Sequence, residues 1–214
     1  PMYRRQRQMC IRDRFINKIL SKLNIKYLMV GDDFKFGKER SGDFDFLSDW
    51  GSNNQIEVDR IPTHSFEGRR VSSTWIRESI ADGNFDLAAK LLDRRYTFSG
   101  KVVFGNKVGR TIGVPTANIW VPKSNLPIRG VYAVKALVKG ETFNGIANMG
   151  VRPTVGGTSP VLEIHIFDFN EEIYGCRIEV EFYQKIRNEK KFENLDKLKE
   201  QINLDIEETR KYFS

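Results

Sequence analysis

The spacing of apolar residues changes near residue 94, and the two parts of the chain predict different kinds of fold. In residues 15–93 the spacing is mainly helical. Apolar residues recur every three or four positions in 15–23, and a short apolar run at 27–30 follows. Three further elements are predicted there, a strand and then two helices: 56–58, 72–80 and 85–92. Residues 15–93 are therefore expected to form part of an α/β domain.

From residue 94 onward apolar and polar residues alternate, which is typical of strands with one buried face. Five strand candidates are separated by Gly, Pro and Asn turns: 96–104, 130–138, 142–149, 161–169 and 176–183. Five or six such strands predict a small barrel. A final helix is expected to begin after the N-cap residue Asn194 and to pack across the barrel. Its apolar face consists of Leu195, Leu198, Ile202, Ile206 and Phe213.

Charge is concentrated at the start of the chain. The formal net charge of the 214 residues is +7, and residues 1–14 hold five arginines against the single acid Asp13. This head has neither helical nor strand periodicity, so it is expected to be disordered or a non-native extension. A nucleic-acid-binding arm is the alternative, although no specific nucleic-acid partner is expected. Cys10 and Cys176 are too few for a disulfide framework and have no metal-ligand spacing.

No apolar run approaches the roughly 20 residues of a membrane helix, so a cytoplasmic protein without a membrane partner is expected.

A glycine-rich segment at 105–118 is the first candidate for chemistry. Gly105, Gly109 and Gly113 allow backbone N–H groups to approach an anion, and Lys107 and Arg110 add positive charge, so phosphate binding is predicted. If the segment after Pro115 is extended, two side chains with oxygen atoms, Thr116 and Asn118, project from one side and can meet one cation. A glycine-rich hairpin with a Pro turn explains the same pattern.

The second candidate is Glu163, which alternates with Leu162 and Ile164 on a predicted strand. A partly desolvated carboxylate there can accept a proton from a hydroxyl during phosphoryl transfer. A solvated or ion-paired strand Glu is the alternative, and His165 is expected to be a hydrogen-bonded structural histidine. A polar loop at 148–157 is either a lid or a hairpin connection.

Several motifs occur in order from residue 105 to residue 192. They are GxxxGRxxGxPTAN at 105–118, GVYAV at 130–134, NMGVRPT at 148–154, LEIHIFDF at 162–169, YG at 174–175 and FYQKIRNEKKF at 182–192. Together they resemble the riboflavin kinase family, especially the C-terminal module of bacterial bifunctional riboflavin kinase/FAD synthetases. The resemblance implies a six-stranded Greek-key-like barrel with a C-terminal helix. It also implies transfer of the ATP γ-phosphate to the ribityl 5′-hydroxyl of riboflavin, with FMN as product.

The resemblance also assigns roles by position. Thr116 and Asn118 are expected to hold Mg²⁺ or another divalent metal, and Glu163 is expected to be the general base. The nucleotide loop is expected to comprise Gly105, Lys107, Gly109, Arg110, Gly113 and Pro115. A mobile loop around the active site is expected to include Asn148, Arg152 and Thr154. The segment on the flavin side, before the last helix, is expected to include Arg187 and its neighbours. Val114 departs from the Phe that the family often carries before the Pro.

The first part of the chain resembles the FMN adenylyltransferase domain of the same bifunctional family, a Rossmann-like nucleotidyltransferase. The matching segments are GDDFKFGKERSGD at 31–43 and SSTWIR at 72–77. They imply a site formed by Asp33, Phe34, Arg40, Asp43, Ser73, Thr74 and Arg77. The HxGH-type motif is not found, since the two histidines are His64 and His165. We therefore expect a truncated domain that does not adenylate FMN efficiently. The alternatives are a bifunctional enzyme that also makes FAD, and a non-catalytic protein that binds flavin or nucleic acid.

The expected organisation has three parts, an extension at 1–14, the partial adenylyltransferase domain at 15–93 and the kinase domain at 94–214. The fold class is α+β overall. An incomplete α/β sheet leaves strand edges unpaired, so self-association through residues 15–93 is predicted.

Overall fold

A computed structural model describes residues 14–16, 18–105, 109, 113–121, 127–154 and 157–214, with the backbone alone at 152–154 and 157–159. The chain divides into two compact units, Pro1–Val71 and Ser72–Ser214. Within the described ranges, no helix has the length and apolar composition that crossing a membrane requires.

The first unit is a small α/β structure. Its strands β1 (Tyr27–Gly31) and β2 (Glu57–Ile61) pair in parallel, and helix α1 (Phe44–Asn53) lies between them in the chain. The unit ends with a short antiparallel hairpin of two strands with two residues each, β3 (Ser65–Phe66) and β4 (Arg69–Arg70). One apolar cluster holds it together, built from Ile16, Leu20, Val30, Phe36 and Leu47. The α/β character expected for this part of the chain is confirmed.

The second unit begins with two helices that pack with the barrel. Helix α2 (Ser73–Ala81) is capped by Ser72, whose Oγ accepts from Trp75 N, and α3 (Phe85–Leu92) is capped by Asn84. Ile80, Phe85 and Ala88 are almost fully buried, in the same apolar cluster as the barrel residues. The structural boundary therefore falls at 71/72. The apolar faces of both helices are buried in the same cluster as the barrel core, and the domain boundary expected at 93/94 stays a prediction.

The barrel consists of six antiparallel strands: β5 (Thr97–Val103), β6 (Ala117–Trp120), β7 (Gly130–Val138), β8 (Glu141–Thr154), β9 (Gly157–Ile166) and β10 (Arg177–Arg187). It is closed, with the spatial order β10-β5-β6-β9-β8-β7. Because β6 pairs with β9 and β10 returns between β7 and β5, the connections are not a simple meander. The six-stranded, Greek-key-like barrel is confirmed.

Alternation along the strands separates the core from the outer face. Leu162 and Ile164 are fully buried inside the barrel, whereas Glu163 between them faces outward and is half-buried. Helix α4 (Leu195–Phe213) begins after Asn194, whose Oδ1 accepts from Lys197 N, as predicted. It packs on the outer face of β7, β8 and β10, and a space remains between this helix and the strands.

Candidate active site

Three polar residues form one row across three neighbouring strands. Asn118 of β6 lies directly opposite Glu163 of β9, and Glu163 lies directly opposite Asn148 of β8. Directly opposite residues in an antiparallel sheet share a face, with Cβ atoms about 5 Å apart. The adjoining row, formed by Ile119, Leu162 and Met149, is buried in the barrel core. The three polar side chains therefore project together from the outer face.

The Asn118 side chain is unusual because it is polar, buried and incompletely satisfied. It is 4% exposed, and its Oδ1 has no hydrogen-bond partner among the described residues. A side chain at Gly105 would collide with the Asn118 amide, so only glycine permits the backbone to pass this closely. An acceptor without a donor is costly unless something outside the protein satisfies it.

A divalent cation fits this oxygen. Thr116 lies two residues before Asn118 and is half-buried, so its hydroxyl is a second candidate oxygen ligand. Mg²⁺ prefers oxygen ligands and retains water and phosphate oxygens, so few protein ligands are needed. Within the described ranges, no cluster of three His, Cys, Asp or Glu residues has the arrangement of a metal site. The buried amide oxygen is thus a group that could hold a cation.

A cavity of about 380 Å³ opens beside the row. It lies over the outer face of the barrel, and helix α4 and the segment after β10 supply its other wall. Its lining includes five residues predicted from the sequence: Gly109, Thr116, Asn148, Glu163 and Arg187. Apolar side chains contribute much of the remaining wall: Val114, Val131, Ile146, Phe192, Leu198 and Ile202. The cavity thus combines an apolar wall with one polar edge.

Arg187 and Asp205 join the end of β10 to helix α4 at this cavity. Arg187 Nε lies 3.0 and 2.9 Å from the two carboxylate oxygens of Asp205, and Nη2 lies 2.8 Å from Oδ2. Gln201 Nε2 donates to Asp205 Oδ1 at 2.9 Å, while Arg187 Nη1 donates to the carbonyl oxygen of Asn188. The carboxylate is almost fully buried, and the guanidinium side chain is 21% exposed.

His165 has a structural bond and also lines the cavity. Its Nδ1 lies 2.8 Å from the Pro115 carbonyl oxygen. Because a carbonyl only accepts, Nδ1 carries the proton in this bond, and the ring fixes the glycine-rich segment to β9. The Phe167 ring lies edge-on to the imidazole, with centroids 5.6 Å apart.

A second cavity, of about 220 Å³, shares Thr116 with the first. Its walls are Pro115 and Ala117 on one side and residues 169–174 on the other. Beside it, the exposed Phe104 ring stacks on Tyr174, with centroids 4.1 Å apart and planes 22° apart. Thr116 therefore stands where the two cavities adjoin.

The structure describes the remaining residues predicted for the kinase site only in part. Gly113 adopts a left-handed backbone, with φ of 81°, and Lys107 and Arg110 lie outside the described residues. For Arg152 and Thr154 the side chains lie outside the description, but their backbone pairs with residues 159 and 157. Residues 148–154 thus continue β8 into a hairpin with β9.

In the first unit, three of the residues predicted for adenylyl transfer contact residues of the same unit. Asp33 pairs with Arg70 at 3.0 Å, and Phe34 stacks on Phe36. Asp43 caps α1 by accepting from Phe46 N at 3.1 Å. Arg40 is exposed, with φ of 56°.

The other three predicted residues, Ser73, Thr74 and Arg77, belong to the second unit. Arg77 Nη1 donates to Ser73 Oγ at 3.3 Å, and Thr74 is exposed. The predicted site is therefore divided between the two units, and its assignment stays a prediction.

Beyond the expectation that neighbours of Arg187 lie on the flavin side, residues of the cavity wall on helix α4 and in the segment before it were not predicted individually. They are Glu189, Lys190, Phe192, Leu198, Ile202 and Asp205. One sign was present in the sequence. Asp205 interrupts the apolar face between Ile202 and Ile206, and an acid on a packed face requires a partner.

Comparison with known proteins assigns the chain to a family. A family model described as riboflavin kinase matches residues 92–213, and one described as FAD synthetase matches residues 2–75. Since the first covers more than half of the chain, the chain belongs to the riboflavin kinase family.

Two relatives and one solved structure illustrate the similarity. The bifunctional riboflavin kinase/FMN adenylyltransferase of Haemophilus influenzae is 48% identical over 204 residues, covering 94% of this chain and 66% of that protein. The Escherichia coli K12 protein of the same name is 44% identical over 201 residues, covering 93% and 64%. A crystal structure described as a macrolide-efflux protein from Streptococcus pneumoniae has a TM-score of 0.72 and 35% identity, covering 92% and 64%. The chain thus spans 64 to 66% of these proteins.

Proposed function

We propose that the protein is a riboflavin kinase, which transfers the γ-phosphate of ATP to the ribityl 5′-hydroxyl of riboflavin and yields FMN. The observation that carries the proposal is the row of Asn118, Glu163 and Asn148, of which Glu163 and Asn148 line the first cavity. It places a carboxylate directly beside a buried oxygen that suits a cation. Phosphoryl transfer requires both a proton acceptor and a cation that neutralises phosphate charge.

The first cavity is the proposed flavin site. An isoalloxazine ring is flat and largely apolar, with polar atoms along one edge, and the cavity has an apolar wall formed by residues such as Val131, Ile146 and Ile202. Its volume of about 380 Å³ lies within the range of small-molecule pockets. With the ring against helix α4, the ribityl chain extends toward Glu163 at the polar edge.

The second cavity and the glycine-rich segment are the proposed nucleotide site. Gly105, Gly109 and Gly113 let the backbone pass close to phosphate oxygens, and Thr116 connects this side with the flavin side. The stacked rings of Phe104 and Tyr174 offer an aromatic surface beside the second cavity. The two substrates then approach each other at Thr116.

Thr116 and Asn118 are the proposed protein ligands of a divalent metal, which would neutralise charge on the phosphates. Glu163 accepts the proton of the 5′-hydroxyl as the hydroxyl oxygen bonds to the γ-phosphorus and the bond to the β-phosphate oxygen breaks. ADP leaves, and the proton remains on the carboxylate until it passes to water. The apolar wall limits the water that competes with the hydroxyl.

The test is incubation of the purified protein with riboflavin, ATP and Mg²⁺, followed by chromatography with flavin fluorescence detection. We expect a peak that comigrates with FMN, is absent without ATP and grows with time. A correctly folded protein that forms no FMN under these conditions contradicts the proposal.

Adenylylation of FMN to FAD is a second candidate, favoured by the FAD synthetase match over residues 2–75. The same chromatogram resolves FAD from FMN, so one experiment tests both activities. The expectation from the sequence, little FAD, stays a prediction.

A further inference from the structure

The ion pair at the wall of the first cavity is asymmetric in its exposure. The Asp205 side chain is 4% exposed and the Arg187 side chain 21%. Both residues line the cavity, but the guanidinium is the more exposed partner. A buried pair of this kind adds little net stability because desolvation offsets the attraction. Its geometry therefore calls for an explanation other than stability.

Contacts of Asp205 fix the orientation of Arg187. The carboxylate accepts from Nε through both oxygens and from Nη2 through Oδ2, and Gln201 donates to Oδ1. These bonds engage both carboxylate oxygens, so Asp205 is poorly placed to bind a ligand itself. A forked, two-point contact also fixes the guanidinium plane, which a single ionic contact would not do.

Arg187 retains donors after these bonds are made. Nε and Nη2 point to Asp205, and Nη1 donates to the Asn188 carbonyl oxygen. A guanidinium has further N–H groups on both terminal nitrogens. The pyrimidine ring of a flavin carries two carbonyl oxygens, which are acceptors of matching chemistry.

We propose that Asp205 is a positioning residue for flavin binding, which holds Arg187 so that its remaining N–H groups donate to the carbonyl oxygens of the flavin pyrimidine ring. The inference rests on the proposed function, because it assumes that the first cavity takes the flavin. It assigns Asp205 no contact with substrate and no part in phosphoryl transfer.

The experiment measures riboflavin affinity without turnover, by quenching of flavin fluorescence during titration with the full-length protein. We expect Asp205→Asn to weaken riboflavin binding about tenfold, because a neutral amide cannot hold the guanidinium by two charged contacts. FMN binding weakens by the same factor, since both ligands have the same ring. The KM for ATP and the kcat at saturating riboflavin stay within about twofold of the wild type.

Glu208→Gln is the matched control, because it removes one negative charge from the exposed side of the same helix. It should leave riboflavin affinity unchanged. Arg187→Lys keeps the charge but loses the fork, so it should also weaken binding about tenfold. The double variant with Asp205→Asn should bind no more weakly than Arg187→Lys alone.

Four results overturn the proposal. The first two are a riboflavin affinity of Asp205→Asn within twofold of the wild type, and a variant that binds FMN more weakly but riboflavin normally. The other two are a KM for ATP that rises as much as the riboflavin dissociation constant, and affinity losses that add up in the double variant. If Asp205→Asn does not fold, Arg187→Lys decides, and unchanged affinity in that variant overturns the proposal. Failure of the wild type to form FMN is separate and contradicts the proposed function instead.

Discussion

Phe85 of helix α3 stacks on Phe182 of strand β10, with ring centroids 5.7 Å apart and planes inclined by 24°. Tyr132 meets both rings edge-on, and all three side chains are essentially inaccessible to solvent. A residue from outside the barrel strands therefore completes the barrel core. The core of the second unit therefore depends on the helices that precede the first barrel strand.

Truncation tests this dependence. A protein comprising residues 94–214 lacks Ile80, Phe85 and Ala88 and exposes the apolar surface that they cover, whereas residues 72–214 retain it. We expect the shorter protein to be markedly less stable in urea denaturation and to associate in solution. Equal stability of the two proteins would show that the helices contribute little to the core.

Phe85→Ala tests the same packing in the whole chain. Removing a fully buried aromatic ring is expected to lower the free energy of unfolding by about 3 to 5 kcal/mol. Leu204→Ala is the control, since Leu204 is 59% exposed on α4 and should cost less than about 1 kcal/mol. Urea denaturation followed by circular dichroism gives both values.

Glu163→Gln should remove the proton acceptor while preserving the shape of the side chain. We expect kcat to fall by about a hundredfold or more, the usual contribution of a general base, with small changes in the KM for riboflavin and ATP. Glu141→Gln, at the exposed start of β8, removes the same charge and should leave kcat unchanged. Full turnover by Glu163→Gln would exclude its proposed role.

Asn118→Leu should separate metal binding from stability. The variant loses the buried oxygen, so we expect the Mg²⁺ concentration for half-maximal activity to rise about tenfold. Replacing an unsatisfied polar group by an apolar one of similar shape is often neutral, so the melting temperature should change little. An unchanged Mg²⁺ requirement would contradict the assignment of Asn118 as a ligand.

The pair of Asp168 and Arg210 predicts how stability depends on pH. The hydrogen bond from Arg210 holds the pKa of the Asp168 carboxyl below its ordinary value of 3.8. Because the pKa of Asp168 is lower in the folded than in the unfolded protein, its ionised carboxylate stabilises the fold. This stabilisation is fully present above pH 3.8 and is lost as the pH falls through the folded-state pKa. Asp168→Asn keeps a residue that tolerates the left-handed backbone, φ 56°, at this position.

Melting temperatures of the wild type and Asp168→Asn should therefore differ near neutral pH, and the difference should shrink as the pH falls below 3.8. Replacing Arg210 with Met should abolish this dependence, because the charge partner is gone. A difference that stays constant with pH would mean that Asp168 acts through its backbone conformation alone.

Strand alternation and helix capping were sufficient to predict most of the elements. The interval 85–92 and the N-cap Asn194 agree with the structure, since both depend on local chemistry. The division into two compact units depended on tertiary packing, because an apolar helix face does not specify what it will cover. Phe85 is apolar wherever its helix packs, and its contact with Phe182 places it in the second unit.

In the candidate site too, the residues could be predicted from the sequence but their arrangement could not. Thr116, Asn118 and Glu163 were predicted from motif and periodicity, but their arrangement depends on the register between β6 and β9, which spacing along the chain does not specify. Asp205 lies 42 positions after Glu163 in the sequence, on a helix that packs over the barrel. Its pairing with Arg187 required the path of the whole chain.

Closure of the barrel stabilises the strand register on which the proposed active site depends. Asn118, Glu163 and Asn148 lie on three successive strands of a sheet without a free edge, so a strand cannot slip by one residue without breaking ladders on both sides. Such a slip would also turn the polar row into the core and the apolar row outward. The backbone amides of this row should therefore exchange with solvent only when the whole barrel opens, and the geometry for chemistry should persist as long as the fold does.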